Sequence, residues 1–190
     1  MINPINTEKI HKENRKLQNG QIINLKVIGS EKIKVVNSKF NPNKVYINGV
    51  ISTISKGIIY IENDGINNIT LEYTEKKKNL DKFFQNIESV IEVDLSNYDT
   101  TGVTSMKSMF IGCINLKYIN FSNVNTTSVT NMTSMFENCY SLTSLDLSSF
   151  NTLKVIYMDS MFKSCYSLTS LNLTSFRPKL KKIKEMFFWM

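Results

Sequence analysis

A 26-residue repeat is the feature that most constrains the fold of this 190-residue chain. The dipeptide Met-Phe recurs at positions 109–110, 135–136 and 161–162, and seven apolar positions around it keep the same spacing. About four full units extend from roughly residue 77 to residue 179, and the start of a fifth unit follows. One such unit is too short to bury its own apolar positions, so the sequence predicts that the units stack on one another.

Two apolar patterns follow each other within each unit, as the unit around the Met-Phe pair at 135–136 illustrates. It begins with five apolar residues separated by three, three, one and three positions: Val129, Met132, Met135, Phe136 and Cys139. This spacing is typical of one face of a short helix. Residues 141–150, SLTSLDLSSF, then show the pattern L-x-x-L-x-L-x-x-F, which predicts a short strand because side chains alternate along a strand. The repeats are therefore predicted to form a solenoid.

The N-terminal part has a different pattern. Residues 21–73 contain short runs rich in Ile and Val, separated by Gly, Asn-Gly and Asp-Gly, which predict four to six antiparallel strands. A stack of coils needs a cap, so residues 21–76 are interpreted as a cap, with a separate binding head as the alternative. Residues 1–20 form a predicted polar tail, and residues 77–190 form the repeats. The predicted fold class is α+β: a β-rich N-terminal cap followed by a leucine-rich-repeat-like solenoid of short strand plus short helix per coil.

The repeat motif resembles that of a known family. The pattern V-x-x-M-x-x-M-F-x-x-C, followed by L-x-x-L-x-L-x-x-F, is similar to the BspA-like leucine-rich repeat surface proteins, whose 26-residue unit is abundant in mycoplasma lipoproteins and in several protists. The resemblance covers about residues 77–187. It implies a solenoid, a cell-surface or secreted location, and partner binding without catalysis. No signal peptide is visible in this chain, so a cytoplasmic location is the alternative.

The distribution of charged and apolar residues bears on the partners. The net charge is +7, but residues 93–176 contain four Lys and five acidic residues and carry −1, so no nucleic-acid binding is predicted. No apolar run approaches the roughly 18 residues of a membrane-spanning helix, so no membrane insertion is predicted. The sequence KEMFFWM at 184–190 predicts either a lid over the last coil or weak self-association through the C-terminal end.

Few residues suggest catalysis or metal binding. Cys113, Cys139 and Cys165 are separated by the repeat period and lie on the predicted helical stripe. They are therefore interpreted as buried free thiols, in preference to a disulfide framework or a metal site. His11 is the single histidine and lies in the polar tail, and the chain has no glycine-rich phosphate loop. The sequence predicts no enzyme activity, no cofactor and no metal.

The remaining candidate site is the outward face of the predicted strands. The residues that flank the buried positions are mostly small and polar: Glu92, Asp94, Tyr118, Asn120, Ser144, Asp146, Ser170 and Asn172. Such an array suits hydrogen bonding to a protein or a glycan, while a solvated face without a ligand is the open alternative. The predicted function is a non-catalytic binding or adhesion module. The alternative is an intracellular protein-interaction scaffold or a structural remnant of a longer repeat protein.

Overall fold

The structure, a computed structural model, describes residues 21–177. The predicted polar tail at 1–20, including His11, lies outside the described residues. So do the partial fifth unit and the apolar C-terminal sequence through which self-association is predicted. Among residues 21–177, no helix is long and apolar enough to cross a membrane.

Antiparallel strands occupy the chain before the repeats. They are β1 (Gln21–Ile28), β2 (Glu31–Lys34), β3 (Lys44–Ile47), β4 (Val50–Ser52), β5 (Ile58–Ile61) and β6 (Ile66–Tyr73), with one 3-10 turn at Ser38–Phe40. Asn48 and Gly49 have φ values of 50° and 83°, which gives β3 and β4 the tight hairpin that an Asn-Gly pair favours. The prediction of four to six antiparallel strands in this segment is confirmed.

Each repeat unit contributes one short strand. The four strands are β7 (Val90–Asp94), β8 (Tyr118–Asn120), β9 (Ser144–Asp146) and β10 (Ser170–Asn172). Strands β7 and β8 pair in parallel, as do β9 and β10, because successive units run in the same direction. Strand β1 pairs antiparallel with β7, so one sheet of order β4-β3-β6-β1-β7-β8 joins the N-terminal strands to the first two units. The division of the chain near residue 76 stays a prediction.

The prediction of an α+β fold with a leucine-rich-repeat-like solenoid is wrong. Residues 21–177 contain no α-helix, and the segment predicted to be helical in each unit forms consecutive turns. The Met135 N–H donates to the Met132 carbonyl at 3.2 Å, as within a turn, but the adjacent Phe136 N–H donates to the Met161 carbonyl of the next unit at 2.9 Å. In an α-helix both groups would bond four residues back in the same segment.

Left-handed residues explain why the helix does not form. Ser134 and Asn138 have φ values of 54° and 62°, and the equivalent positions are left-handed in every unit. These positions are Lys82, Ser108, Ser134 and Ser160, and then Asn86, Gly112, Asn138 and Ser164. A left-handed residue at every fourth position interrupts a right-handed helix. The intervening turns still return an apolar side chain to the same face every three to four residues, so the sequence keeps a helix-like spacing.

Equivalent side chains stack from one unit to the next. Four buried phenylalanine rings lie with centroids 5.3, 5.7 and 5.7 Å apart: Phe84, Phe110, Phe136 and Phe162. The cysteines are free and buried, as predicted. The Cys139 thiol donates to the Phe110 carbonyl at 3.2 Å, and the other two cysteines make the equivalent bond. Burial raises the pKa of Cys113 and Cys165 to about 12, so these thiols stay protonated.

An aromatic cluster joins the N-terminal strands to the first repeat unit. The Phe83 ring centroid lies 4.4 Å from that of Phe40 and 5.9 Å from that of Tyr73. Tyr98 packs edge-on against Tyr73 and Phe83, with centroids 5.7 and 6.1 Å apart. The Tyr73 hydroxyl donates to the Phe40 carbonyl at 2.8 Å. The two parts of the chain therefore share one core.

Candidate binding face on the strands

The eight residues predicted from the sequence lie on one face of the repeat strands. The strand register aligns them in four pairs: Glu92 with Tyr118, Asp94 with Asn120, Ser144 with Ser170, and Asp146 with Asn172. The residue between the two positions of each strand is apolar, as at Val93 and Ile119, both of which are buried. Because side chains alternate along a strand, burial of the middle residue turns its two polar neighbours away from the core.

Two adjoining grooves run over this face. The first, of about 530 Å³, lies over β6, β1, β7 and β8. The second, of about 600 Å³, lies over β8, β9 and β10. Tyr118 and Asn120 line both grooves, and each of the eight predicted residues lines at least one. The structure thus brings the eight together, and their contact with a ligand stays a prediction.

The N-terminal strands supply four further polar residues that the sequence did not predict. These are Asn24, Lys26, Asn68 and Thr70. Asn24 is aligned with Asp94 and with Thr70, and Lys26 is aligned with Glu92. Alternation in the sequence NLKV places Asn24 and Lys26 on one side of β1, but it does not reveal that β1 pairs with β7. We refer to these four and the eight predicted residues as the polar strand face.

The last residue of each repeat strand forms one column of this face, and its side chain also helps to terminate the strand. The Asp94, Asn120, Asp146 and Asn172 side chains each accept a hydrogen bond from the backbone N–H two residues further on, at 2.9, 3.1, 2.8 and 3.2 Å. Such Asx turns redirect the chain after each strand. The bonds to Ser148 lower the pKa of the Asp146 carboxyl group, which keeps it ionised. Each side chain keeps further bonding capacity, because an amide or carboxylate has several donor or acceptor positions.

The charge of the face is slightly negative. Lys26 Nζ lies 2.7 Å from Glu92 Oε2, so this cation is paired within the face. With Asp94 and Asp146, the charged residues that line the grooves sum to −2. Tyr118 is 52% exposed and lies where the grooves meet. Within residues 21–177, no three His, Cys, Asp or Glu side chains are placed to hold a metal ion.

Comparison with known proteins identifies the family of the repeats. A sequence model of the family described as "Mycoplasma protein of unknown function, DUF285" matches residues 78–189, beside the predicted start of the repeats at 77. The match agrees with the resemblance of the repeat motif to a unit that is abundant in mycoplasma proteins. It does not single out the BspA-like leucine-rich repeat proteins. Comparisons with curated proteins and with solved structures gave no match. The matched segment covers more than half of the chain, and the protein therefore belongs to the DUF285 family.

Proposed function

We propose that this protein is a non-catalytic binding module that presents the polar strand face to a protein or glycan partner. The observation that carries the proposal is that two adjoining grooves extend over six strands, with β6, β1, β7 and β8 in one sheet and β9 and β10 in another. The two grooves meet at Tyr118 and Asn120, so one extended ligand can contact both. Ligand sites are concave surfaces in which a few polar groups are held in place by packed structure.

The support beneath the face is rigid. Strands β1 and β7 each have a paired strand on both sides, and the residues between the polar positions are buried in the common core. The Asx turns fix the side chains of one column before any ligand arrives. A preorganised surface loses little conformational entropy on binding, which favours affinity.

The cellular location separates adhesion from its alternative. The resemblance of the repeat motif to BspA-like surface proteins supports a role in adhesion at the cell surface. An intracellular scaffold would use the same face for a different partner. Surface labelling of intact cells that express the tagged full-length protein distinguishes the two, because a surface protein is labelled and a cytosolic one is not.

A matched pair of variants tests the face. Ser144→Arg places a large side chain in the second groove, whereas Thr143→Arg places it at the adjacent exposed position, which lines neither groove. The wild type and both variants are screened against a glycan array and immobilised extracellular-matrix proteins. We expect Ser144→Arg to weaken binding at least tenfold and Thr143→Arg to leave it unchanged. Equal binding by the two variants would contradict the proposal.

A further inference from the structure

The spacing of the polar groups constrains the ligand. Along the direction that crosses the strands, equivalent side chains repeat at the inter-strand distance of about 4.8 Å. One row contains Asn68, Lys26, Glu92 and Tyr118, and the next contains Thr70, Asn24, Asp94 and Asn120. Side chains on one face of an extended peptide repeat every second residue, or about 6.8 Å. A peptide that follows these rows therefore loses register after two or three contacts.

A peptide also cannot bind over β1 and β7 as an added strand. Strand addition needs a free sheet edge whose backbone groups are unpaired. Strand β1 is bonded to β6 and β7, and β7 is bonded to β1 and β8. The contacts available over these strands therefore come from side chains, and a ligand that bonds them needs its own donors and acceptors at short, regular intervals.

A chain of hexose rings meets this requirement. Each ring carries several hydroxyl groups that both donate and accept hydrogen bonds, and the rings recur at a distance close to the strand spacing. The Asn120 side chain illustrates the match: its Oδ1 accepts from the Ser122 N–H at 3.1 Å, which orients the amide and leaves Nδ2 as a donor for a hydroxyl oxygen. Thr70 Oγ1 and Asn24 Oδ1 are similarly oriented by their mutual bond of 2.9 Å.

Tyr118 supplies the apolar contact that a sugar needs. Its side chain is half exposed and lies where the grooves meet, with polar neighbours on both sides. The C–H groups on one face of a pyranose ring pack against an aromatic ring, while the phenolic hydroxyl bonds a sugar hydroxyl. One exposed aromatic ring within a polar groove is thus suited to one central sugar residue.

The charge of the face selects among glycans. The grooves carry a net charge of −2, and Lys26 is already paired with Glu92 at 2.7 Å. A sulfated or carboxylated glycan would therefore be repelled and would find no unpaired cation among the lining residues. A neutral chain meets no such repulsion.

From spacing, Tyr118 and charge, we propose that the polar strand face binds a neutral oligosaccharide that runs across the strands with one sugar residue packed on Tyr118. This inference rests on the proposed function and narrows its partner to one chemical class. The chain length that the grooves accommodate is several sugar residues, because the rows extend over four paired strands and the second groove continues over β9 and β10. Affinity should therefore increase with the length of the oligosaccharide.

The test is titration calorimetry on the full-length protein. The probes are neutral gluco-, manno-, galacto- and N-acetylglucosamine oligosaccharides of one to six residues, with a heparin hexasaccharide as the anionic comparison. We expect at least one neutral series to bind, with the tetrasaccharide at least tenfold tighter than the monosaccharide and the heparin fragment at least tenfold weaker. Tyr118→Ala should weaken binding at least tenfold. Tyr118→Phe should retain most of it, and Tyr140→Ala, which changes an exposed tyrosine outside both grooves, should have no effect.

The outcomes separate this inference from the proposed function. Binding to none of the neutral series, or to heparin alone, overturns the oligosaccharide proposal. If matrix proteins bind and Ser144→Arg abolishes that binding, the face is a protein-binding surface, so this inference fails and the proposed function holds. If no ligand distinguishes Ser144→Arg from Thr143→Arg, both fail.

Discussion

The N-terminal strands and the repeat units use backbone hydrogen bonds in different ways. Between residues 21 and 73, hairpin turns and antiparallel register decide which strands meet, and β1 is bonded along its length to β6. In the repeats, the bonds join the matching segments of successive units, for example from the Phe110 N–H to the Met135 carbonyl at 2.9 Å. Apart from the pairing of β1 with β7, the strands of the first region thus bond to one another, while each repeat unit completes its bonding only when the next unit is in place.

The two regions are nevertheless continuous at β1 and β7. Strand β1 occupies the position that a preceding repeat strand would take beside β7, and the aromatic cluster around Phe83 fills the core behind that contact. The N-terminal strands therefore extend both the core and the polar strand face. We expect the regions to unfold together, and the following substitutions test that expectation.

The largest effects should come from two phenylalanines, one at the junction and one within the repeats. Phe83 and Phe136 are both fully buried, so Phe83→Ala and Phe136→Ala should each lower the free energy of unfolding by about 3–5 kcal/mol. If the chain is one cooperative unit, each variant should show a single urea transition with an unchanged slope. Two separate transitions in the Phe83→Ala variant would show that the N-terminal strands and the repeats fold independently.

An intermediate effect is expected from a buried hydroxyl that links two units. Thr126 Oγ1 donates to the Asn151 carbonyl at 3.0 Å and accepts from the Asn151 N–H at 2.8 Å, and Thr100 makes the same pair of bonds with Asn125. Thr126→Val should cost about 1–3 kcal/mol, because two backbone groups lose their partner.

The control for Thr126→Val is Thr126→Ser, which keeps the hydroxyl group and should cost less stability than Thr126→Val. Urea denaturation of the two variants gives the comparison. If the free energy of unfolding is the same for the valine and serine variants, the bonds of the Thr126 hydroxyl group to Asn151 do not hold the units together.

The smallest effect concerns an exposed ion pair between the end of the N-terminal region and the first unit. The hydrogen bond from Lys76, together with that from the Thr101 N–H, lowers the pKa of Asp99 to about 2. Asp99→Asn keeps the turn, since Asn125 and Asn151 occupy the equivalent positions, and should cost less than about 1 kcal/mol.

The pH dependence of that difference follows from the lowered pKa. Ionised Asp99 stabilises the folded state at pH values above its unfolded pKa of about 3.9, and this contribution is lost as the pH falls through about 2. The stability difference between wild type and Asp99→Asn should therefore be full at pH 6, much smaller near pH 2 and absent near pH 1. A difference that stays constant over this range would show that the pair does not stabilise the fold.

The contrast between the regions also explains which features the sequence predicts. Alternating apolar and polar residues, as in β1 and β6, have one common structural cause, so the strands of residues 21–73 were predictable. An apolar spacing of three to four residues has two causes, since both a helix and a series of left-handed turns return side chains to one face. The direction of the Phe136 N–H bond, toward Met161 of the next unit, separates them, and no pattern within a single unit encodes it.

The candidate face was predictable in part for the same reason. Repetition places Asp94 and Asn120 at equivalent positions, so their alignment follows from the sequence. Asn24 and Lys26 join the face only because β1 pairs with β7, a contact between strands more than 60 residues apart that has no local signal. The Asx turns are local, and an Asp or Asn followed two residues later by Ser or Thr at the end of each strand could have revealed them.

The claim on which the spacing of the whole face depends is that left-handed turns, and not helices, carry the bonds between units. Asn138, with φ of 62°, tests it most directly, since glycine occupies the equivalent position at Gly112. Urea denaturation should show that Asn138→Gly is neutral or stabilising by up to about 1 kcal/mol. Asn138→Ala should be destabilising by about 1 kcal/mol, because alanine disfavours a left-handed backbone. A helix would give the opposite order, with alanine more stable than glycine by about 1 kcal/mol, and that result would contradict this account of the repeats.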